Sequence, residues 1–290
     1  MNKVVTRIKG GLGNQLFCYA AARRLAVVND AELVIDDVSG FIRDRLYHRQ
    51  YMLDHFNICA RKATYRERLE PFGRYRRYCL SQWSRFKPFE ERRYLVQEQS
   101  GFDDRFLNIR LSDTIYLDGL WESENYFKDV EYLIREDLRI IPPTDETNLK
   151  AADKIINSNA IAIHVRCFDS SNYSNLHPNL SNDYYSKAVA FMEARVESPF
   201  YYLFSDNPMV ADSRLSFPKD RSTFISHNKG DVNAYADLWL MSLCNNFITA
   251  NSTFSWWGAW LCSNRSKIVI MPGEWADLHN GLLPCGWIKL

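Results

Sequence analysis

Long apolar runs are missing from this chain. No stretch of about 18 consecutive apolar residues occurs in its 290 positions, so no membrane-crossing helix is expected. Met1–Lys9 passes straight into an alternating strand pattern without the apolar centre of a leader, so no signal peptide is expected. Cysteine is sparse. Seven residues (18, 59, 79, 167, 244, 262 and 285) are widely spaced and odd in number, and none falls into a Cys-x-x-Cys or Cys/His pattern of zinc spacing. Reduced thiols in a cytosol fit that usage, so a cytoplasmic protein is expected. No Walker sequence is present. No Asp-x-Asp pair occurs either, and such carboxylates hold Mg²⁺ or Mn²⁺ on a diphosphate. That weakens a metal-bridged diphosphate site. Charge of one sign is not in excess: 36 basic residues meet 35 acidic ones, for a net charge of +1. No nucleic-acid partner is expected.

What is present is a large apolar fraction, 46%, enough for the core of one large domain or two medium ones. Charge is uneven along the chain. Between Arg61 and Arg93 eleven basic residues stand against four acidic ones, interleaved with seven aromatics. That stretch reads either as a patch for an anionic surface or as a solvated basic helix pair.

Strand and helix patterns alternate. Lys3–Ile8 reads as a buried strand, Gly10-Gly11-Leu12-Gly13 breaks it, and Asn14 is positioned to cap a helix carrying Leu16, Phe17, Ala20, Ala21, Leu25 and Val28. Glu32–Ile35 is a second strand, completing a β-α-β unit. Ser39 to Glu98 reads as mixed helices and loops. Thr114–Leu117 is a short strand, and a helix is expected near Glu124–Arg135. After Pro142-Pro143 a second series begins. Strands are expected at Ala160–Val165, Phe200–Phe204, Thr223–Ser226, Phe247–Ala250 and Lys267–Met271. Helices are expected at Tyr184–Val196, Val232–Cys244 and Phe254–Cys262. This alternation predicts parallel, doubly wound α/β sheets in two halves, 1–150 and 151–290. Ligands in such sheets bind at the carboxyl ends of strands.

The segments at those ends carry polar residues suited to a phosphorylated ligand. The glycine turn lets backbone N–H groups approach an anion at a helix start, although it is equally a tight turn with no ligand. Its pattern is not that of a dinucleotide fold, because Leu16 stands at the third glycine position. His164-Val165-Arg166 ends a strand, and Arg166 suits a diphosphate leaving group, with His164 in support. Asp169 is close enough to orient Arg166 or take a proton. Asp206, in Ser205-Asp206-Asn207-Pro208, reads either as a guanine or ribose acceptor or as a helix cap. Asn251, Ser252, Thr253 and Ser255 open a helix and offer donors to phosphate oxygens. Trp256 and Trp257 read as core.

In order and spacing these blocks resemble the α-1,2-fucosyltransferases of glycosyltransferase family 11. The blocks are Gly10–Phe17 with Tyr19–Arg23, Asp118–Phe127, His164-Val165-Arg166 with Asp169, Phe204–Pro208, Asp237–Cys244 and Ala250–Leu261. The resemblance implies a GT-B-like α/β fold of two Rossmann-like halves facing a central cleft. It implies GDP-β-L-fucose as donor, no metal cofactor, inversion, and the 2-hydroxyl of a galactoside as acceptor in bacterial O-antigen synthesis. It implies that Arg166 contacts the donor diphosphate and that Asn14 is a site residue; with His164 and Asp169 from the strand-end reading, these are the expected catalytic residues. Gly11, Gly13, Gln15, Arg166, Asp206, Asn251, Ser252, Thr253 and Phe254 are the expected donor contacts, in a GDP-sugar domain at 151–290. Asp37, Asp118, Trp121 and Glu124 are the expected acceptor contacts, in an acceptor-side domain at 1–150 with a basic helical insertion. The general base stays open among Asp36, Asp37, Asp118, Glu122, Glu124 and Asp169. The family motif has a second arginine and a glycine where this chain has Cys167 and Phe168. That departure keeps a non-catalytic GDP-sugar- or glycan-binding protein as the alternative. A dinucleotide oxidoreductase is a weaker rival. The basic stretch 61–93 adds the expectation of a lipid-linked acceptor and of peripheral contact with an inner membrane.

Overall fold

The computed structural model describes residues 1–45, 47–167, 179–215 and 217–290. The chain forms two compact units, one of Met1–Ile141 with His279–Leu282, the other of Pro142–Leu278 with Leu283–Leu290.

The first unit is built on β1 (Lys3–Arg7), α1 (Leu12–Val28), β2 (Glu32–Asp36), β3 (Arg61–Lys62), α2 (Gly73–Arg85), β4 (Tyr94–Val96), β5 (Ile115–Asp118) and α3 (Glu131–Asp137). Its five-stranded sheet runs in the order β3-β2-β1-β5-β4, with every pair parallel. α1 is an alanine-rich run of good helix formers. It is buried on nearly every side, with Leu16, Phe17, Tyr19, Ala20 and Leu25 fully enclosed. Its polar residues are paired to match. Arg24 meets Asp129 at 2.7 Å, and Asp137 accepts from both the Tyr19 hydroxyl and the Arg23 guanidinium at 2.7 Å.

The basic stretch departs from the expected helix pair. It contributes one helix, α2, and one edge strand of the sheet, β3, and it leads directly into the other edge strand, β4. These strands are two and three residues long, too short for a period of two to show in the sequence.

The second unit comprises α4 (Glu146–Ile156), β6 (Asn159–Val165), α5 (Asn182–Glu193), β7 (Pro199–Ser205), α6 (Pro208–Arg214), β8 (Ser222–Ile225), α7 (Ala234–Ser242), β9 (Asn246–Ile248), α8 (Thr253–Leu261), β10 (Val269–Met271), α9 (Gly273–Leu278) and β11 (Ile288–Lys289). Its six strands run in the order β11-β10-β9-β6-β7-β8, again all parallel. β6 is apolar on both faces from Ala160 to Ile163, as suits a central parallel strand. Ala160 and Ala162 face α4, α7 and α8, while Ile161, Ile163 and Val165 face α5. Helices α7 and α8 approach closely because residue 258 is glycine: a Cβ there would stand 2.3 Å from the Met241 sulfur. The division at Ile141/Pro142 precedes the expected 150/151 boundary, because α4 buries Ala152 and Ile155 in the second core.

Each sheet has a point where the strand order reverses. In the first it lies between β1 and β5, in the second between β6 and β9. Among doubly wound sheets, ligands collect outside the carboxyl ends at these points.

Candidate active site

At the reversal point of the second sheet, three adjacent strands end in polar residues. β6 and β7 pair with Val165 opposite Ser205, so the residues just beyond, Arg166 and Asp206, emerge side by side. They form an ion pair of 2.7 Å between Arg166 Nη1 and Asp206 Oδ2. The other Asp206 oxygen accepts the Cys167 N–H at 2.8 Å. Asp206 therefore holds both the arginine and the backbone that follows it. Each oxygen thus has one partner inside the loop, and a carboxylate with about four lone-pair sites keeps acceptor capacity for a guanine or ribose. Asp169, the expected partner of Arg166, lies outside the described residues, as does Phe168.

His164 is buried on the α8 side of β6, its ring centroid 5.5 Å from that of Phe254. Burial, with a contribution from Arg166, pushes its pKa down to about 3. The imidazole is thus neutral at any ordinary pH, and its Nδ1 has no hydrogen-bond partner. A neutral imidazole cannot serve as a proton donor of the imidazolium type.

On the other side of the reversal point, β9 leads into α8. Ser252 is the N-cap, its Oγ accepting from the Phe254 N–H at 3.3 Å. Ser255 Oγ donates to the Ser252 carbonyl and accepts from the Ala250 N–H, both at 3.2 Å. Asn251, Ser252, Thr253 and Phe254 are half-buried, while Trp256 and Trp257 are fully enclosed in the core as expected. The His164–Phe254 contact thus brings the start of α8 to the end of β6, the strand that Arg166 follows.

In the first unit, the β1 turn and the β5 segment face the corresponding reversal point. Gly10 has φ +79°, and a Cβ on it would stand 2.8 Å from the Asn14 amide nitrogen. The helix begins at Leu12 with Gly11 as N-cap, and no side chain caps it. Asn14 is therefore in the first helical turn and not the cap, as the sequence had suggested. Gln15, an expected donor contact, is fully buried and spent on the chain itself. Its amide N–H₂ donates to the Gly10 carbonyl at 3.0 Å and the Gln50 carbonyl at 2.9 Å, and its oxygen accepts from the Met52 N–H at 2.9 Å. Gly13 is buried in the same turn.

Arg49 escaped the sequence reading. Its guanidinium covers Gly11, so that a Cβ there would meet Cζ at 3.6 Å, and it stacks on the Tyr47 ring at 4.1 Å. Only the pattern of a basic residue near an aromatic pointed to it, in a loop without periodicity. A cation beside an uncapped helix start is suited to an anion.

The expected acceptor residues separate into different roles. Asp118 is clamped by Lys9 at 2.8 Å, Arg7 at 3.1 Å and the Tyr94 hydroxyl at 3.0 Å. Lys9 and Arg7 hold its carboxyl below the usual carboxylate range against the opposing effect of burial. It is a structural anion and a poor base. Trp121 is enclosed between Phe106 and Tyr126, so its ring is core and offers no face to a sugar. Glu124 pairs with Lys128 at 3.3 Å, and Asp37 stands 3.6 Å from Lys62. Asp36 is consumed by Ser39, accepting its hydroxyl at 2.5 Å and its N–H at 2.9 Å. Glu122 differs from all of these. Burial raises its pKa to about 7, and its carboxyl stands 3.8 Å from Nδ1 of the His279 imidazole, which is charged only when protonated.

All seven cysteines are free. Among the described residues no group of three His, Cys, Asp or Glu side chains is placed to hold a metal ion, and no helix is long and apolar enough to cross a membrane.

Residues 75–280 match the model of glycosyl transferase family 11. The chain belongs to this family. Similar curated proteins cover it end to end. The O-antigen biosynthesis glycosyltransferase WbnK of Escherichia coli is 32% identical over 98% of this chain and 99% of its own. An alpha-1,2-colitosyltransferase of Escherichia coli is 28% identical over 100% and 99%. Among solved structures, the family-11 chain resembles the α-1,6-fucosyltransferase NodZ of Bradyrhizobium, solved after soaking with GDP-fucose. That match has 18% identity, a TM-score of 0.52, and coverage of 90% of this chain and 92% of that one. At that identity the likeness concerns the fold, which is GT-B-like with two Rossmann-like halves.

Proposed function

We propose that this family-11 glycosyltransferase moves L-fucose from GDP-β-L-fucose to the 2-hydroxyl of a galactoside, with inversion, during assembly of a bacterial O-antigen. Membership of the family and the two Escherichia coli relatives support the reaction class and setting. The observation that carries the reading is the Arg166–Asp206 pair at the strand-order reversal, beside the start of α8.

In this reading the second unit binds the GDP moiety and the first the acceptor. The acceptor oxygen attacks the anomeric carbon as the bond from that carbon to the diphosphate oxygen breaks. The transition state has oxocarbenium character. Arg166 and the N–H groups opening α8 take up the charge on the departing GDP, without a metal. The acceptor proton passes to Glu122, whose raised pKa is matched to abstraction near neutrality. Glu122 follows β5, the neighbour of β1, so it lies at the same sheet end as the Gly10 turn and Asn14. The acceptor sugar is carried on a lipid.

The test is an acceptor screen with GDP-fucose, following GDP release and then the linkage of the product. A 2-linked fucosyl galactoside, formed at an undiminished rate in EDTA, is expected. GDP binding without turnover on any galactoside would favour a binding protein instead.

A second donor reading rests on the colitosyltransferase relative. Colitose is fucose without its 3-hydroxyl, so GDP-colitose belongs in the same screen. A large preference for it would reassign the donor and leave the mechanism intact.

A further inference from the structure

The exposed side of α2 has no part in sugar transfer as read above. From Phe72 to Lys87 the chain holds five cations (Arg74, Arg76, Arg77, Arg85, Lys87), five aromatics (Phe72, Tyr75, Tyr78, Trp83, Phe86) and no acid. The helix is anchored from within. Gly73 and Ser84 are buried, Ser84 Oγ accepts the Tyr94 N–H of β4 at 3.0 Å, and Arg77 donates to the Arg68 carbonyl at 3.1 Å. All five aromatics face solvent, with between 62% and 91% of their surfaces exposed. On a helix of 3.6 residues per turn, Tyr75 and Tyr78 lie opposite Gly73 and Ser84, with Trp83 beside them. Arg74 and Arg85 run along one edge of that face and Arg76 along the other. A monomer seldom leaves so many large rings in water without a use for them.

We infer that this face docks on an anionic lipid bilayer, with α2 lying in the plane of the interface. The pattern is that of an interfacial helix, in which aromatic bodies enter the headgroup region and arginines on either side reach lipid phosphates. The charge favours a membrane over an acidic protein groove, because the cations border the rings instead of forming a block. The acids nearest in sequence, Glu70 and the exposed pair Glu90 and Glu91, lie outside the flanking prolines Pro71 and Pro88 or next to them, and Glu98, which shares a pocket with Arg85, is paired with Arg92 at 2.6 Å. The inference needs no turnover, and it survives or fails independently of the donor and acceptor.

The experiment is sedimentation of the full chain with vesicles of phosphatidylcholine alone or mixed with phosphatidylglycerol. Binding is expected to the anionic vesicles only, falling as salt rises. Arg74→Glu, Arg76→Glu and Arg85→Glu should each lower partitioning at least about fivefold for the charge lost, with unchanged thermal unfolding and unchanged transfer to a soluble acceptor. Quenching of tryptophan by brominated lipid tails should vanish in Trp83→Phe while that variant still binds. Failure to bind anionic vesicles at low salt, equal binding to neutral ones, or undiminished binding by the charge-reversed variants would overturn the inference.

Discussion

A guanidinium that is to meet a departing diphosphate gains most if it is held before the charge develops. In the proposed reaction that is the part of Asp206, which pairs with Arg166 and, through its second oxygen, holds the backbone at Cys167. The two residues are therefore predicted to fail differently. Arg166→Ala should lower kcat by about 10²- to 10³-fold, the usual loss for one donor to a developing anion. Asp206→Asn keeps the shape and removes one charge-assisted contact, so a loss of about ten- to a hundredfold is expected. Steady-state kinetics with GDP-fucose distinguishes the two, and an Asp206→Asn enzyme of normal kcat would refute the positioning role. Glu122 offers a test with two readouts. Its carboxyl stays protonated in the fold up to about pH 7, whereas it ionises from its ordinary value of 4.5 when unfolded. The unfolded chain binds fewer protons in that window, so stability falls as pH rises from 4.5 to 7 and then levels off. Glu122→Gln should remove this slope and stabilise the protein above neutrality by at most about 3 kcal/mol, measured by urea unfolding across pH. The same variant should lose transfer activity. A variant that is stabilised and still fully active would mean that Glu122 is buried without being the base.

At the scale of the element, the Gly10 turn shows what backbone geometry adds to a side-chain reading. Its φ of +79° and the Asn14 side chain 2.8 Å from any added Cβ both demand glycine. Gly10→Ala should cost about 1–3 kcal/mol in stability and displace Asn14, and thermal unfolding with a parallel assay would measure both. Strands such as β6 and β7 were legible in the sequence because parallel strands covered on both faces read as apolar runs. β3 and β4 were not, because pairs or triplets of residues carry no period. The start of α1 was misread because Asn14 has a capping side chain, while the glycines ahead of it carry the chain into the helix unaided. Arg166 was legible from its place after a strand. Its partner was not, because the β6–β7 register brings Asp206 to it from 40 positions away. Gln15 was misassigned for the same reason: its partners, Gln50 and Met52, lie in a loop without pattern.

For the molecule as a whole, the proposed reaction gives the two sheets different parts. At the reversal point of the second, an arginine fixed by a carboxylate stands beside a helix of nine residues capped by Ser252. At that of the first, the carboxyl Asp118 is locked by two cations and the carboxyl Glu122 is buried with a raised pKa, a setting matched to a hydroxyl, while Arg49 beside the uncapped start of α1 is a feature there that suits an anion. If GDP belongs to the second unit, amide hydrogen exchange in its presence should slow at 164–167, 205–207 and 250–255. The Gly10 turn should be unaffected until an acceptor is added. Binding to the native state alone also stabilises it by about 2.7 kcal/mol when GDP is at a hundred times its dissociation constant, so the unfolding temperature should climb with GDP. Arg166→Ala should blunt that climb, whereas Glu122→Gln should leave it intact. Protection by GDP that appears first at the Gly10 turn and Arg49 would reverse the assignment of the two units, and would make Arg49, not Arg166, the cation that meets the phosphates.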